Sequence, residues 1–356
     1  MAENYTNAIS NTFPNNIWKE YNYSEEIISA IEKIGKSLTE LFNFIEPGLF
    51  DKKIIVVKNL SDTSIFPVAN SINLTMNKAF LFNYNKEIMI QLFDDGNILL
   101  WEDVDSSKIF DCPENIIYLF EANKEKIIAK NKIFDITVRS FGSRYSEEFD
   151  ELELQLRNYH LHKIKNSSCP IFSESWASDR RIFFKGGGKN IPEEYMQKSL
   201  HNFIKDLSIF KGNIGQFEPT REQNVNAQKP VDIIVHWEKS NRMAIIEIKW
   251  LGKSVHNGGF KSIHTNSRAN DGFKQLKEYF DLAKSDYPHK LIKCYLVIID
   301  ARRWQTNEKT TTISFRNGMY YENTEIELDN DRKYHLTYKN IQAPIRMFAE
   351  PICDEL

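Results

Sequence analysis

The chain has 356 residues, a formal net charge of −3, 41% hydrophobic residues and 27% charged residues. This composition is typical of folded proteins and excludes a disordered chain, while the length favours two domains over one. The near-neutral charge excludes a uniformly basic nucleic-acid coat protein, so any nucleic-acid contact must be local.

The first half of the chain predicts a mixed α+β domain. Apolar residues recur at helical spacing over residues 24–44, with Ser24 placed as the N-cap. Short apolar runs predict strands at residues 54–57, 79–82, 88–93 and 98–101, with a hairpin turn at residues 94–97. Residues 146–163 predict another helix.

Glycines at positions 186–188 interrupt the chain and favour a domain boundary near residues 165–190. We therefore predict an N-terminal domain over residues 1–170, with a recognition, regulatory or partner-binding role, and a second domain over residues 171–356. In the second domain the predicted order is helix (192–210), three strands (214–222, 231–237 and 243–250), helix (271–283) and strand (291–300), followed by a β extension.

Cysteine usage and the N-terminus bear on location. The four cysteines are far apart and form no CxxC pair, which argues against a disulfide scaffold or a zinc site and favours a reducing compartment. The first residues lack a basic and apolar leader, and no apolar run approaches the ~20 residues that span a bilayer. The sequence predicts a cytoplasmic protein without a membrane partner.

Two predicted strands of the second domain carry charged residues among apolar ones. Glu247 and Lys249 stand two positions apart in the run AIIEIKW, so alternation places them on one face. Asp232 interrupts the preceding run PVDIIV in the same way. A buried charge needs a partner, either in an ion pair or through a metal with an anionic substrate. The acidic-x-Lys triplets at Asp51 and Asp331 lie outside such apolar runs.

Two carboxylates on adjacent strands are suitable ligands for Mg²⁺ or Mn²⁺, which bind oxygen and can bridge to phosphate. A neighbouring lysine can orient or deprotonate an attacking water and offset charge that develops on the phosphate. Asp232, Glu247 and Lys249 therefore predict a site that cleaves phosphodiester bonds.

With these residues and the predicted element order, the second domain resembles the PD-(D/E)XK nuclease superfamily over residues 192–303. The resemblance implies a restriction-endonuclease-like αβββαβ core of the α/β (α+β) class, with a mixed sheet between helices. It also implies that Asp232 and Glu247 are metal ligands, with the Ile248 carbonyl as a third, and that Lys249 lies beside the water. The proline in PVD stands one place earlier than in the family motif.

Two helices supply further candidates under this resemblance. In the first, Glu193 or Glu194 could add a carboxylate. We choose Glu194, with Gln197 on about the same face; acids in a first turn can also reflect the helix dipole alone. In the second helix, Gln275 and Tyr279 match the QxxxY motif of the RecB-like branch. The resemblance implies that Gln275 could hold the metal water or a phosphate and that Tyr279 could contact the nucleic-acid backbone, although Tyr279 could simply pack on the sheet beside Gln275.

A glycine- and cation-rich loop is predicted between Trp250 and Asp271, and its Lys253, Lys261 and Arg268 could contact nucleic-acid phosphates. A merely solvated loop is the alternative, and the loop histidines His256 and His264 fit surface positions better than metal positions. His236 stays unassigned, and Arg221 and Glu222 could lie at the edge of the site. The segment Lys185–Asn190 lacks the Ser or Thr of a phosphate loop, so a hinge or a backbone-binding loop explains its glycines better.

The sequence thus favours a Mg²⁺-dependent deoxyribonuclease, endonucleolytic, that acts on DNA. The resemblance suggests a setting in restriction or anti-phage defence, with a partner protein or activating signal at the N-terminal domain, and one active centre per chain makes a homodimer plausible. Two alternatives stay open. One is an inactive nuclease-fold scaffold in which Glu247 and Lys249 form an internal ion pair; the other is a nuclease that acts on RNA.

Overall fold

The structure, a computed structural model, describes residues 23–45, 52–75, 78, 81, 86–122, 124–135, 147–187, 191–210, 218–225, 229–237 and 241–354. The chain divides into two compact units, Met1–Asp150 and Glu151–Leu356. The fold is of the mixed α/β class, with mixed sheets flanked by helices, which confirms the predicted class.

The elements of the first unit are helix α1 (Glu25–Leu41), β1 (Ile54–Asn59), β2 (Ile72–Asn73), β3 (Ile88–Leu92), β4 (Ile98–Glu102), the short helix α2 (Ser107–Phe110), β5 (Asn115–Glu121), β6 (Lys124–Ala129) and β7 (Lys132–Asp135). Helix α1 packs on a seven-stranded sheet of order β2-β4-β3-β1-β5-β6-β7. Strand β1 pairs in parallel with β3 and antiparallel with β5.

The apolar runs of this sheet are continuous because both of its faces are covered. Ile54 and Val56 join the cluster that includes α1, while Ile55 and Val57 join a second cluster with Ile109. The strands predicted at residues 54–57, 88–93 and 98–101 are present. Strands β5 to β7 were not predicted, and the strand predicted at residues 79–82 lies outside the described residues except for Leu81.

Helix α3 (Glu147–Tyr159, extended by a π-helix, His160–Ile164) begins at the end of the first unit and continues into the second. The further elements of the second unit are α4 (Pro170–Ser173), β8 (Phe184–Lys185), α5 (Ile191–Phe210), β9 (Glu218–Val225), β10 (Lys229–Trp237), β11 (Arg242–His256), β12 (Gly259–His264), α6 (Asn266–Asp286), β13 (Leu291–Asp300), α7 (Phe315–Gly318) and β14 (Ile345–Phe348). The unit is built on the sheet β14-β13-β11-β10-β9, in which β11 is antiparallel to β10 and parallel to β13. Helices α5 and α6 pack against this sheet.

The predicted α-β-β-β-α-β order is present, but the loop predicted between Trp250 and Asp271 is wrong. Strand β11 continues to His256, turns back into β12, and α6 already begins at Asn266. Asn257 and Gly258 form the turn with positive φ angles of 50° and 78°, the conformation that an Asn-Gly hairpin turn prefers. The Asn-Gly pair was therefore a hairpin signal in the sequence.

The described helices include none that is both long enough and apolar enough to cross a membrane.

Candidate metal centre

Strands β10 and β11 bring the first two predicted carboxylates together. Their antiparallel pairing runs from Trp237 opposite Arg242 to Ile233 opposite Ile246, so Asp232 and Glu247 follow at the end of the paired segment. The backbone N–H of Ile248 donates instead to Asp232 Oδ2, at 2.6 Å. The Asp232 side chain thus replaces a backbone acceptor where the strands stop pairing, and both carboxylates are buried.

Lys249 lies on the same face of β11 as Glu247, as alternation predicts, and is also buried. Its Nζ atom donates to Glu247 Oε1 and, at 3.0 Å, to Glu193 Oε1. Gly272 of α6 makes room for this side chain, because a Cβ atom there would lie 2.7 Å from Lys249 Cγ and 2.8 Å from Leu296 Cδ1. The structure thus places an ammonium group among carboxylates in a tightly enclosed position.

Helix α5 supplies a third carboxylate, and it comes from Glu193 rather than from the predicted Glu194. Glu193 is buried and binds Lys249, whereas Glu194 is exposed and lies outside the cluster. The periodicity explains the difference, because Glu193 precedes the buried Met196 by three positions and so shares its face. Gln197, four residues after Glu193, donates through Nε2 to Asp232 Oδ1.

Glu193, Asp232 and Glu247 each offer one carboxylate oxygen, and these three oxygens lie within 4.8 Å of one another. Glu247 Oε2 is buried and has no hydrogen-bond partner among the described residues. Such an orphan acceptor is costly in a protein interior unless something binds it. Hard oxygen donors at this spacing fit a divalent cation such as Mg²⁺ or Mn²⁺.

The electrostatics of the cluster reflect burial and an excess of negative charge. Burial raises the pKa of Glu247 to about 8, with Asp232 adding to the shift. Burial likewise raises the pKa of Asp232 to about 6, opposed by Lys249. Burial lowers the pKa of Lys249, but Glu247, Glu193 and Asp232 together raise it above its ordinary value. Three carboxyl groups face two cations, Lys249 and Arg268, so ionisation of all three would leave one negative charge over.

One face of α6 turns toward this cluster. Arg268 donates from Nη2 to Glu193 Oε2 at 2.8 Å, and Gly272 adjoins Lys249. Tyr279 is buried, and its pKa is raised by burial and by Glu247 and Asp232. Gln275 presents a buried Oε1 without a partner among the described residues. These four positions recur at three- and four-residue intervals, so they share a helical face.

The other predicted cations have specific positions. Lys253 is half-buried on β11, where Nζ donates to the Thr306 carbonyl at 2.7 Å. Lys261 is exposed on β12. The ring of His264 meets Trp250 edge-on at 4.3 Å, and His256 is exposed. Arg268 is thus the predicted nucleic-acid contact that the structure brings directly to the acidic cluster.

The remaining candidates lie apart from the cluster or outside the described residues. His236 pairs with Met243 and contacts the Tyr287 ring at 5.8 Å. Arg221 and Glu222 belong to β9, but their side chains are outside the described residues. In the glycine segment, which we read as a hinge or backbone-binding loop, the Gly186 N–H donates to Val255 O at 2.7 Å. A Cβ at Gly187 would lie 2.5 Å from the His256 ring, so these glycines permit close packing on the hairpin.

Comparison with known proteins identifies no family for this chain. No family model matches the sequence, and no curated protein matches it. Among solved structures, the chain is similar to a repair endonuclease from Pyrococcus abyssi, with 12% sequence identity over 72% of this chain and 82% of that one. The TM-score of this alignment is 0.22, so the comparison adds no argument about this site.

Proposed function

We propose that the second unit is a metal-dependent nuclease that hydrolyses DNA phosphodiester bonds as an endonuclease. The observation that carries this proposal is the cluster of Glu193, Asp232 and Glu247, with the Lys249 ammonium beside it. One buried oxygen of Glu247 has no partner in the described part of the chain. Carboxylates without a cation would be a poor site for an anionic phosphate, but carboxylates around a divalent cation would attract one.

We assign the metal site to Asp232, Glu247 and Glu193, with the Ile248 carbonyl as a further candidate ligand. A bound Mg²⁺ or Mn²⁺ would acidify a water and neutralise charge on the phosphate. Gln197 and the Ile248 N–H hold the Asp232 carboxylate, which fixes its orientation. Arg268 holds Glu193 through Oε2, so that Oε1 stays directed toward Lys249.

Lys249 is then the group that faces the reacting phosphate. It is ion-paired with two carboxylates, so we assign it the role of a cation that offsets developing negative charge. We assign Gln275 and Tyr279, on the face of α6 that turns toward the cluster, to contacts with a phosphate or water. Gln275 Oε1 is buried and has no partner among the residues that the structure describes, so it can accept from such a water.

The wider setting is also part of this proposal. The first unit, which covers most of the predicted domain of residues 1–170, would serve recognition, regulation or partner binding. A homodimer would allow both strands of a duplex to be cut. We propose a cytoplasmic role in restriction or anti-phage defence. Exposed Lys261 and half-buried Lys253 would contact the nucleic-acid backbone near the site.

One observation favours a second candidate, an inactive nuclease-fold scaffold. Lys249 forms ion pairs with both Glu247 and Glu193. An internal ion pair of this kind can be purely structural. In that case the protein would neither bind a metal ion nor cleave nucleic acid.

To test this proposal, the purified full chain is incubated with four substrates: supercoiled plasmid, linear duplex DNA, single-stranded DNA and RNA. Each incubation is made with Mg²⁺, with Mn²⁺ and with EDTA. Asp232→Ala and Lys249→Ala should abolish cleavage, while the exposed neighbour Glu194→Ala should leave it unchanged. Cleavage that persists in the first two variants would refute the site. Inactivity together with calorimetry that detects no Mn²⁺ binding would favour the scaffold.

A further inference from the structure

Beyond the C-terminal end of β13, three aromatic side chains form a compact group that we name the aromatic platform: Trp304, Tyr320 and Tyr321. The rings of Trp304 and Tyr320 stack with centroids 4.5 Å apart and an interplanar angle of 17°. Tyr321 meets Tyr320 edge-on at 5.0 Å. Trp304 remains 39% exposed and Tyr320 49% exposed, so both stacked rings reach the solvent.

A buried ionic network fixes the platform from beneath. Asp300, which is fully buried, accepts from Arg302 Nε and Nη2 at 2.9 and 2.7 Å and from Arg346 Nε at 2.8 Å. The Arg302 guanidinium lies 4.7 Å from the centre of the Tyr321 ring. Arg346 also donates to the backbone carbonyls of Tyr321 and Glu322. The network thus fixes Tyr321, whose ring in turn contacts both Tyr320 and Trp304.

The turn that carries Trp304 is constrained as well. Gln305 has a φ angle of +51°, a left-handed conformation that is unfavourable for a residue with a side chain. The turn is held by the Trp304 N–H, which donates to Asn317 O at 3.0 Å, and by Lys253, which donates to Thr306 O. Local strain of this kind persists where the surrounding structure enforces it and is frequent at functional sites.

The platform lies close to the candidate metal centre in the same unit. Asp300 is two residues beyond Ile298, which pairs with Lys249 in the parallel register, a step of about 7 Å along a strand. Arg302 Nη1 also donates to Asn266 at the start of α6, and Arg268, two residues later, binds Glu193. The platform is therefore connected to the metal centre through the end of β13 and the first turn of α6.

We propose that the aromatic platform stacks against an unpaired base, so that the substrate of the second unit is DNA with a single-stranded segment beside the cleaved phosphate. This inference rests on the proposed nuclease function. Exposed aromatic faces bind single strands because every base offers a π surface, whereas bases in an intact duplex are already stacked. Arg316, exposed and one residue before Asn317, adds a cation for the flanking phosphate.

The experiment measures binding of labelled oligonucleotides by fluorescence anisotropy, with the full chain in EDTA so that nothing is cleaved. Three probes of one length are used: a single strand, the same backbone with abasic residues, and a blunt duplex. Wild type should bind the single strand roughly tenfold more tightly than the abasic strand. Trp304→Ala should remove this difference, and Trp304→Phe should retain most of it.

Tyr287→Ala is the matched control, since Tyr287 is similarly exposed but lies at the C-terminal end of α6. It should bind like wild type. Equal affinity of wild type for the single and abasic strands would overturn the inference, as would an equal loss for all three probes in Trp304→Ala. If wild type binds the single strand more tightly than the abasic strand but shows no metal-dependent cleavage, the nuclease function is refuted and the platform is supported. If metal-dependent cleavage is present and Trp304→Ala changes neither cleavage nor binding, the platform is refuted and the nuclease function is supported.

Discussion

The substitution Glu247→Gln should raise the stability of the metal-free protein and abolish its stabilisation by metal. Glu247 is buried, and one of its oxygens has no partner among the described residues. Glutamine keeps an acceptor for Lys249 while it removes the ionisable group. Its amide would lie near Asp232, whose carboxylate oxygen is within 4.8 Å in the cluster and can accept a hydrogen bond.

The magnitude follows from the pKa of Glu247, which is raised from 4.5 to about 8 by burial and by Asp232. A carboxyl group whose pKa is raised on folding destabilises the native state as the pH increases from the unfolded pKa to the folded one. At 1.36 kcal/mol per pKa unit, this cost is about 1 kcal/mol at pH 5.5 and about 3 kcal/mol at pH 7. Below pH 4.5 it is absent.

The assay is thermal unfolding in EDTA and in excess Mn²⁺, at pH 5.5 and pH 7. In EDTA at pH 7, Glu247→Gln should unfold roughly 5 to 10 °C above wild type, with a smaller difference at pH 5.5. Mn²⁺ at one hundred times its dissociation constant should stabilise wild type by about 2.7 kcal/mol and the variant very little. The exposed Glu194→Gln serves as the control and should match wild type.

A metal-free variant that unfolds below wild type at pH 7 would refute the reasoning, because it would show that the Glu247 carboxylate stabilises the fold. The same would follow from equal Mn²⁺ stabilisation in the variant and in wild type.

Three further predictions follow from the geometry. Glu193→Gln should weaken Mn²⁺ binding at least tenfold in calorimetry, whereas Glu194→Gln should not, since only Glu193 lies in the cluster; equal effects would contradict the choice of Glu193. Gly272→Ala should lower the free energy of unfolding by about 1–3 kcal/mol through overpacking, and should impair cleavage, because its Cβ would meet Lys249 and Leu296. Full activity and unchanged stability would show that these two side chains move aside without cost. Gly258→Ala should cost about 1 kcal/mol in denaturant unfolding, owing to its φ of +78°, without changing Mn²⁺ affinity; altered affinity would show that the hairpin is coupled to the site.

Element type could be predicted from the sequence where the apolar pattern was long and regular. The strand predicted at residues 291–300 has the bounds of β13, and α1 lies where its periodicity places it. The hairpin of β11 and β12 was missed because glycines and cations suggested a loop, although Asn257-Gly258 marks a two-residue turn. Strand β5 was missed although residues 116–120 form a continuous apolar run. Strands β6 and β7 mix polar and apolar residues, so their cross-strand partners define them.

The candidate site was predictable on the strands and less so on the helices. Strand alternation admits two faces, so Glu247 and Lys249 could be placed together from sequence. A helical first turn offers adjacent acids on different faces. The buried Met196 and Leu200, three and seven positions after Glu193, place Glu193 rather than Glu194 on the core face. The role of Gly272 depends on the close approach of Lys249, a tertiary contact that no local pattern reveals.

The distribution of hydrogen bonds within the cluster bears on whether it evolved for a cation or for an internal ion pair. Both oxygens of Asp232 have donors, in Gln197 and the Ile248 N–H, and both oxygens of Glu193 have cationic partners. Glu247 has Lys249 on Oε1 alone, and its Oε2 is buried without a donor among the described residues. A purely structural ion pair gains nothing from that orphan oxygen, because an unpaired buried acceptor lowers stability. A cation could bind Oε2 without displacing Lys249, and this is why the arrangement favours a metal centre over a scaffold.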